Sequence, residues 1–268
     1  MKRALVERAR AAKREIGKGA RRGARVGAFV GLTSAMLAVY QAHQHLTPQG
    51  GHAARRERYI KRWSLALLTI FGIDIVVVGT TPPQEGARGR LIVSNHRSTI
   101  DIMILLRHFA PHIVSREDLA HWPLVGAAAR SVGTVFVDRD NATSGVQAIR
   151  EMSRLLQEGR VVGVFPEGTT FPDDEVRPFH KGAFVAAKMA DAEILPVGLA
   201  YEGGRDAAFV DETFGQHMSR LAGAKKTRVA LVIGTPLTVQ KNADRTAQAA
   251  RDVVADLVVQ ARAALAAR

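Results

Sequence analysis

Hydrophobic and polar positions divide the chain into two textures. Up to residue 72, basic and apolar stretches alternate. Val26–Tyr40 (VGAFVGLTSAMLAVY) is largely apolar and follows a run of lysines and arginines, and Trp63–Gly72 (WSLALLTIFG) follows a second basic cluster of Arg55, Arg56, Arg58, Lys61 and Arg62. Beyond residue 72, short β-branched runs alternate with longer helical patterns. Ile73–Val78, Leu91–Val93, His112–Val114, Val135–Val137, Val161–Phe165, Ile194–Val197 and Val229–Ile233 read as strands. Ile100–His108, Leu124–Ser131, Ser144–Gln157 and Gly182–Met189 read as helices, and the alanine-rich tail from Ala243 to Arg268 reads as a terminal helix packed on the rest. This alternation predicts an α/β fold with a largely parallel central sheet flanked by helices. Thr80–Arg90, rich in proline and glycine, is a turn into that sheet. The predicted organisation is a basic/apolar helical region over 1–72 and an α/β domain over 73–268.

Composition changes this picture in two places. The 268 residues include no cysteine, which excludes thiol nucleophiles, disulfides and cysteine-based metal sites. The net charge of +13 sits almost wholly in residues 1–62, where 15 Lys/Arg face three acids, Glu7, Glu15 and Glu57. A basic region on a near-neutral body calls for a polyanionic partner, a bilayer surface or a nucleic acid. Basic and apolar stretches in alternation favour the bilayer, with cations on the headgroups and apolar side chains among the acyl chains. Val26–Tyr40 and Trp63–Gly72 each fall short of the roughly 20 apolar residues that span a bilayer, so partial insertion of a helical pair is expected. A secretory leader with a long basic part, a helical pair packed on the domain, and a nucleic-acid arm are the competing readings. The near-neutral body and the lack of basic–aromatic interleaving weigh against nucleic acid.

In open α/β sheets ligands bind beyond the carboxyl ends of the strands, and three such places carry candidate chemistry. After Leu-Ile-Val comes Ser94-Asn95-His96-Arg97-Ser98-Thr99-Ile100-Asp101. Residues five apart on one helix are rotated by about 140°, so His96 and Asp101 meet only if the chain turns between them. Ser98-x-x-Asp101 fits a capping box that would make this turn. A carboxylate on one imidazole nitrogen leaves the other free as a base toward a substrate hydroxyl; a simple cap beside a loop histidine is the alternative. Val164-Phe165-Pro166-Glu167-Gly168-Thr169-Thr170 also follows a strand, and its glycine, carboxylate and hydroxyls suit either a strand-ending turn or a headgroup site. Gly133–Asp140 places Arg139 at a third strand end, either as a bidentate phosphate ligand or as the partner of Asp138 or Asp140. Lys181, just before a helix, is a candidate second cation or a solvated lysine.

Taken in order, these motifs resemble the 1-acyl-sn-glycerol-3-phosphate acyltransferases and their glycerolipid relatives. That family carries Asn-His-x-Ser-x-x-Asp, Gly-x-x-Phe-x-Asp-Arg, Phe-Pro-Glu-Gly-Thr and a proline in an apolar strand. Here these are Asn95–Asp101, Gly133–Arg139, Phe165–Thr169 and Leu195-Pro196-Val197. The resemblance implies transfer of a fatty acyl group from acyl-CoA or acyl-carrier protein to a lysophospholipid hydroxyl, with 1-acylglycerol-3-phosphate going to phosphatidic acid as the first expectation. It implies His96 as general base oriented by Asp101, with Asn95 and Ser98 supporting the turn. Arg139 and Lys181 would hold the acceptor phosphate, and Glu167, Gly168 and Thr169 would shape the acceptor site. An acyl thioester is already activated, so no metal or further cofactor is called for. The family's helical pair on the membrane would correspond to residues 1–72, which places the protein on the cytoplasmic face of the membrane as a monotopic enzyme. One departure stands out: phosphatidate-forming members continue Arg-Ser after Glu-Gly-Thr, whereas this chain has Thr170-Phe171. That opens a different lysolipid headgroup as acceptor. Hydrolysis of a thioester or lipid ester is the other enzymatic reading, although no Gly-x-Ser-x-Gly elbow is present.

Overall fold

In the computed structural model the described residues are 2–47, 51–84, 86, 88–138, 140–203 and 207–267, with side chains described for 13 and from 15 onward. Two helices come first, α1 (Lys2–Leu46) and α2 (His52–Ile70). The α/β part then runs β1 (Ile73–Val78), β2 (Arg90–Ser94), α3 (Thr99–Phe109), β3 (His112–Arg116), a 3₁₀ turn (Glu117–His121), α4 (Val125–Ser131), β4 (Val135–Val137), α5 (Ala142–Gln157) and β5 (Val161–Val164). It finishes with α6 (Gly182–Met189), β6 (Glu193–Tyr201), α7 (Phe214–Gly223), β7 (Thr227–Ile233) and α8 (Ala243–Ala266). Each predicted strand is present. Two features differ from the sequence reading: β6 continues four residues past Val197 to Tyr201, and α7 was not anticipated.

The strands form one sheet in the order β1-β7-β6-β2-β5-β3-β4. Every neighbouring pair is parallel except β6 with β7. Strand side chains alternate between faces, which sorts the core in two. Ile92, Leu195, Leu199, Tyr201 and Leu231 pack under α2, α3 and α7 with Ile60, Leu68, Ile104, Phe109 and Leu221. Leu91, Val93, Val162 and Ile194 pack under α5, α6 and α8 with Leu156, Phe184, Ala250 and Val254. α8 lies directly on β6: a Cβ at Gly198 would stand 2.5 Å from the Leu257 backbone, so only glycine admits that approach.

The first two helices are tied to this body. Trp63 Nε1 donates to Thr33 Oγ1 (3.1 Å), and the Tyr40 and Tyr59 rings lie 5.2 Å apart. Much of the basic charge serves as a clamp. Arg21 and Arg25 donate to the carbonyls of Gly223 (3.1 Å) and Ala222 (3.4 Å), and Arg22 to Ser219 O (3.2 Å), at the carbonyl end of α7 where cations are favoured. Arg56 donates to Val132 O (2.6 Å), Ala110 O (2.8 Å) and Pro111 O (2.8 Å). The expectation that the first apolar stretch is too short to cross a bilayer is revised. The helix runs unbroken past Tyr40 to Leu46, and its Glu15–Leu46 part holds an 18-residue stretch of mean hydropathy 1.3, long and apolar enough by length and composition alone. Thr33 and Tyr40 on one side are nevertheless buried against the protein, whereas Ile16, Val26, Val30, Val39 and Leu46 are exposed.

Candidate active site

The carboxyl ends of three adjacent parallel strands, β6, β2 and β5, converge on one point. β2 ends at Ser94, and Asn95 locks the exit: its side-chain amide donates to Leu199 O and accepts from Leu199 N on β6, both at 2.9 Å. Ser98, with extended backbone, is the N-cap of α3, and Asp101 completes the capping box. The chain therefore reverses between His96 and Asp101, and His96 Nδ1 lies 2.8 Å from Asp101 Oδ2. The same oxygen accepts the backbone N–H groups of Arg97 (2.6 Å) and Ser98 (2.8 Å), and Oδ1 accepts the Tyr201 phenol. Asp101 is fully buried, so all of its acceptor capacity is spent on protein donors. Burial, and then the Asp101 charge, hold the Tyr201 hydroxyl well above its ordinary pKa, so it stays a donor. With Nδ1 committed, the other edge of the His96 ring faces outward. One ring face stacks on Phe165, with centroids 3.9 Å apart and planes 14° apart.

β5 delivers the second segment. Gly168 N donates to Phe165 O (3.1 Å), closing a turn, and Gly168 has φ +82. A Cβ there would be strained and would stand 3.0 Å from the His180 ring. The turn brings Glu167 against the first segment: Oε1 accepts His96 N (2.7 Å) and Oε2 accepts Arg177 N (2.9 Å). Glu167 is thus a brace across two loops. Burial pushes its carboxyl up to about 7, against the opposing pull of the two amides. A cavity of about 550 Å³ opens beside His96. Gly168, Thr169 and Thr170 line it near the histidine, and Met36, Leu37, Trp63 and Met103 are among the apolar side chains that extend it between the first two helices and the sheet.

A family model described as Acyltransferase matches residues 74–200. The chain is 29% identical over 209 residues to a lyso-ornithine lipid O-acyltransferase of Pseudomonas aeruginosa, covering 76% of this chain and 79% of that one. It is 27% identical over 218 residues to a 1-acyl-sn-glycerol-3-phosphate acyltransferase of Neisseria meningitidis, covering 77% and 85%. Residues 74–200 belong to the acyltransferase family. The crystal structure of the 1-acyl-sn-glycerophosphate acyltransferase PlsC from Thermotoga maritima shares its fold, with TM-score 0.72 and 22% identity over 93% of this chain and 98% of that one.

Within this acyltransferase the structure brings together Asn95, His96, Ser98, Asp101, Glu167, Gly168 and Thr169. Lys181 does not join them. It is exposed at the start of α6, its Nζ is 3.3 Å from Asp244 Oδ1, and it does not line the cavity. The expected second cation instead makes a solvent-exposed ion pair with a carboxylate at the start of α8. Arg139 lies outside the described residues; the strand before it, β4, is at the sheet edge, three positions from β2. Two residues escaped the sequence reading. Tyr201 depends on the four extra residues of β6, and Arg97 is buried with its guanidinium on Asp174 and Pro172 O (2.6 Å). Among the described residues no group of three or more His, Asp or Glu side chains is arranged to hold a metal ion.

Proposed function

We propose that this acyltransferase esterifies the free hydroxyl of a lysophospholipid with a fatty acyl group from an acyl thioester, acyl-CoA or acyl-carrier protein. The observation that carries the mechanism is the 2.8 Å contact between His96 Nδ1 and Asp101 at the mouth of an apolar cavity. In this reading His96 Nε2 removes the acceptor's proton as the hydroxyl oxygen attacks the thioester carbonyl. The C–S bond then breaks, and the departing thiolate takes a proton from the imidazolium. Asp101 holds the ring in the reactive tautomer and offsets the charge that forms on it. The backbone amides of Thr169 and Thr170, two residues that line the cavity beside His96, are the candidates for stabilising the oxyanion. The apolar lining accommodates an acyl chain.

For the acceptor, 1-acylglycerol-3-phosphate is the first reading, and Arg139 would be the cation for its phosphate. A second reading is favoured by the charged groups that line the cavity. His96 apart, these are Arg116 and Asp118, an ion pair at 3.2 Å. A pair of opposite charges suits a headgroup bearing both signs, as an ornithine lipid does, better than a phosphate dianion. Purified protein, acyl-CoA and a panel of lysophosphatidate, lyso-ornithine lipid and other lysophospholipids decide between them. Full activity of His96→Ala on every acceptor would sink the mechanism; thioester hydrolysis unaffected by any lysolipid would replace transfer with hydrolysis.

The membrane reading is a monotopic one, on the cytoplasmic face, with the exposed apolar side of α1 in the bilayer and exposed Arg58 and Arg62 on anionic headgroups. Because α2 supplies Ile60 and Leu68 to the core and the residue after it supplies Phe71, removal of 1–72 would unfold the body. Val26→Glu with Val30→Glu is the sharper test, and undiminished sedimentation with anionic liposomes would refute the reading.

A further inference from the structure

Behind the catalytic turn, where α3 meets α7, lies a second set of titratable groups, none of which lines the cavity. His217 on α7 is fully buried, with its ring stacked on Phe209 at 4.7 Å. Its Nε2 is 3.1 Å from Ser98 Oγ, and its Nδ1 is 2.8 Å from Glu212 Oε1. Glu212 is itself paired with Arg220, whose guanidinium also donates to Ala208 O (2.6 Å) and comes within 3.0 Å of His217 Nδ1. The order hydroxyl, imidazole, carboxylate is that of a nucleophile and its base, but Ser98 is fully buried and does not line the cavity, so no acyl group reaches it.

The protons can be placed by elimination. Nδ1 at 2.8 Å from a carboxylate oxygen needs a hydrogen between them, and the guanidinium is already engaged with Glu212 and Ala208. Desolvation first of all lowers the pKa of His217, which keeps the ring singly protonated. Nε2 is therefore a bare acceptor 3.1 Å from the Ser98 hydroxyl, whose other side-chain neighbour is the Tyr201 phenol, itself a donor to Asp101; the Ser98 hydrogen is accordingly assigned to Nε2. Held that way, Ser98 Oγ turns a lone pair to the N–H of Ile100 (3.3 Å), the cap that starts α3. Ser98 also gives its own N–H to Asp101 Oδ2. The hydroxyl rotor, the cap and the carboxylate that orients His96 are linked through one residue.

We propose that His217, fixed by Glu212, is a positioning residue for acyl transfer: it sets the Ser98 hydroxyl and thereby the Asp101 carboxylate behind His96. This rests on the reading of His96 and Asp101 given above. Nothing in it touches substrate, so the effect belongs to kcat. A small misplacement of a catalytic group costs up to about a hundredfold, and loss of one hydrogen bond behind the turn is expected to cost about tenfold.

The test uses the full-length enzyme with acyl-CoA and its best lysolipid. His217→Leu, which keeps the bulk and loses the acceptor, should lower kcat about tenfold or more with both KM values within twofold. His217→Gln, whose amide oxygen can take the Ser98 proton, should recover most of it. Ser98→Ala should be as slow as His217→Leu, and the double variant no slower than either, because both remove the same link. Thermal melts accompany each variant. Unchanged kcat in His217→Leu overturns the proposal, as does additive loss in the double variant. Equal loss of kcat and of Tm in the Leu and Gln variants also overturns it, since packing alone would then explain His217. An active His96→Ala would instead overturn the underlying mechanism, which keeps the two failures apart.

Discussion

Replacing Asp101 by Asn isolates the charge of the buried carboxylate from its geometry. The amide oxygen can stand where Oδ2 stands and still accept from His96 Nδ1, Arg97 N and Ser98 N. The amide nitrogen faces the Tyr201 oxygen, which can accept once its own proton turns away. The hydrogen-bonding frame is thus largely kept, whereas the attraction between an imidazolium and a carboxylate is lost. With Nδ1 and Oδ2 2.8 Å apart, the two charge centres are separated by about 4 Å, and at an effective dielectric of about 20 such a pair attracts by about 4 kcal/mol. At about 1.4 kcal/mol per decade this is a loss of roughly three orders of magnitude in kcat. Neither substrate touches Asp101 in the proposed mechanism, so KM should move little. The assay follows release of free CoA thiol against lysolipid concentration, with near-ultraviolet circular dichroism as a check on folding. A folded Asp101→Asn enzyme within tenfold of the parent kcat would refute the reasoning, because the charge that develops on His96 would then need no counterion.

Two further outcomes follow from the braces around the site. Glu167 binds a proton up to about 7 when folded, against an ordinary value of 4.5, so the folded state holds the proton more tightly and stability falls as pH rises from about 4.5 to about 7. Tm of Glu167→Gln should lack this contribution, so the parent's advantage over the variant shrinks across that window; parallel Tm-versus-pH curves would contradict the shift. Arg56 serves three carbonyls from one planar fork and, although burial lowers its pKa to about 10, remains cationic at neutral pH. Arg56→Lys cannot reproduce the fork and should cost about 2–3 kcal/mol, read as a lower urea midpoint with an unchanged slope.

What could be read from the sequence is what local patterning encodes. Strands buried on both faces, such as β2 and β6, are runs of apolar residues, and the half-buried β1, β3 and β4 kept enough β-branched residues to be read as strands too. The turn between His96 and Asp101 was legible because a capping box is a four-residue signal. α7 escaped, although Thr213 and Gln216 form a capping box of the same kind and its apolar positions recur at helical spacing. Tertiary partners left no local trace. Nothing near Tyr201 announces Asp101, a hundred residues away, and nothing near Lys181 announces Asp244. The basic N-terminal region was read as facing a polyanion, and several of its arginines instead close the carbonyl ends of neighbouring elements. Charge alone does not distinguish a lipid phosphate from a helix terminus.

The pairing of β1 with β7 has a consequence for how the chain is made. Ile73 meets Thr227, so the strand that follows the first two helices finds its neighbour in the sheet about 150 residues later. At the usual 5–20 residues per second, that neighbour leaves the ribosome roughly 8–30 s after β1 does. Contacts so distant in sequence form late in any case. Throughout that interval α1 is already synthesised but lacks α7, onto which Arg21, Arg22 and Arg25 will clasp. The nascent protein thus shows its apolar helix, cations unspent, before it has a body to dock on, and the first surface that helix encounters need not be its own.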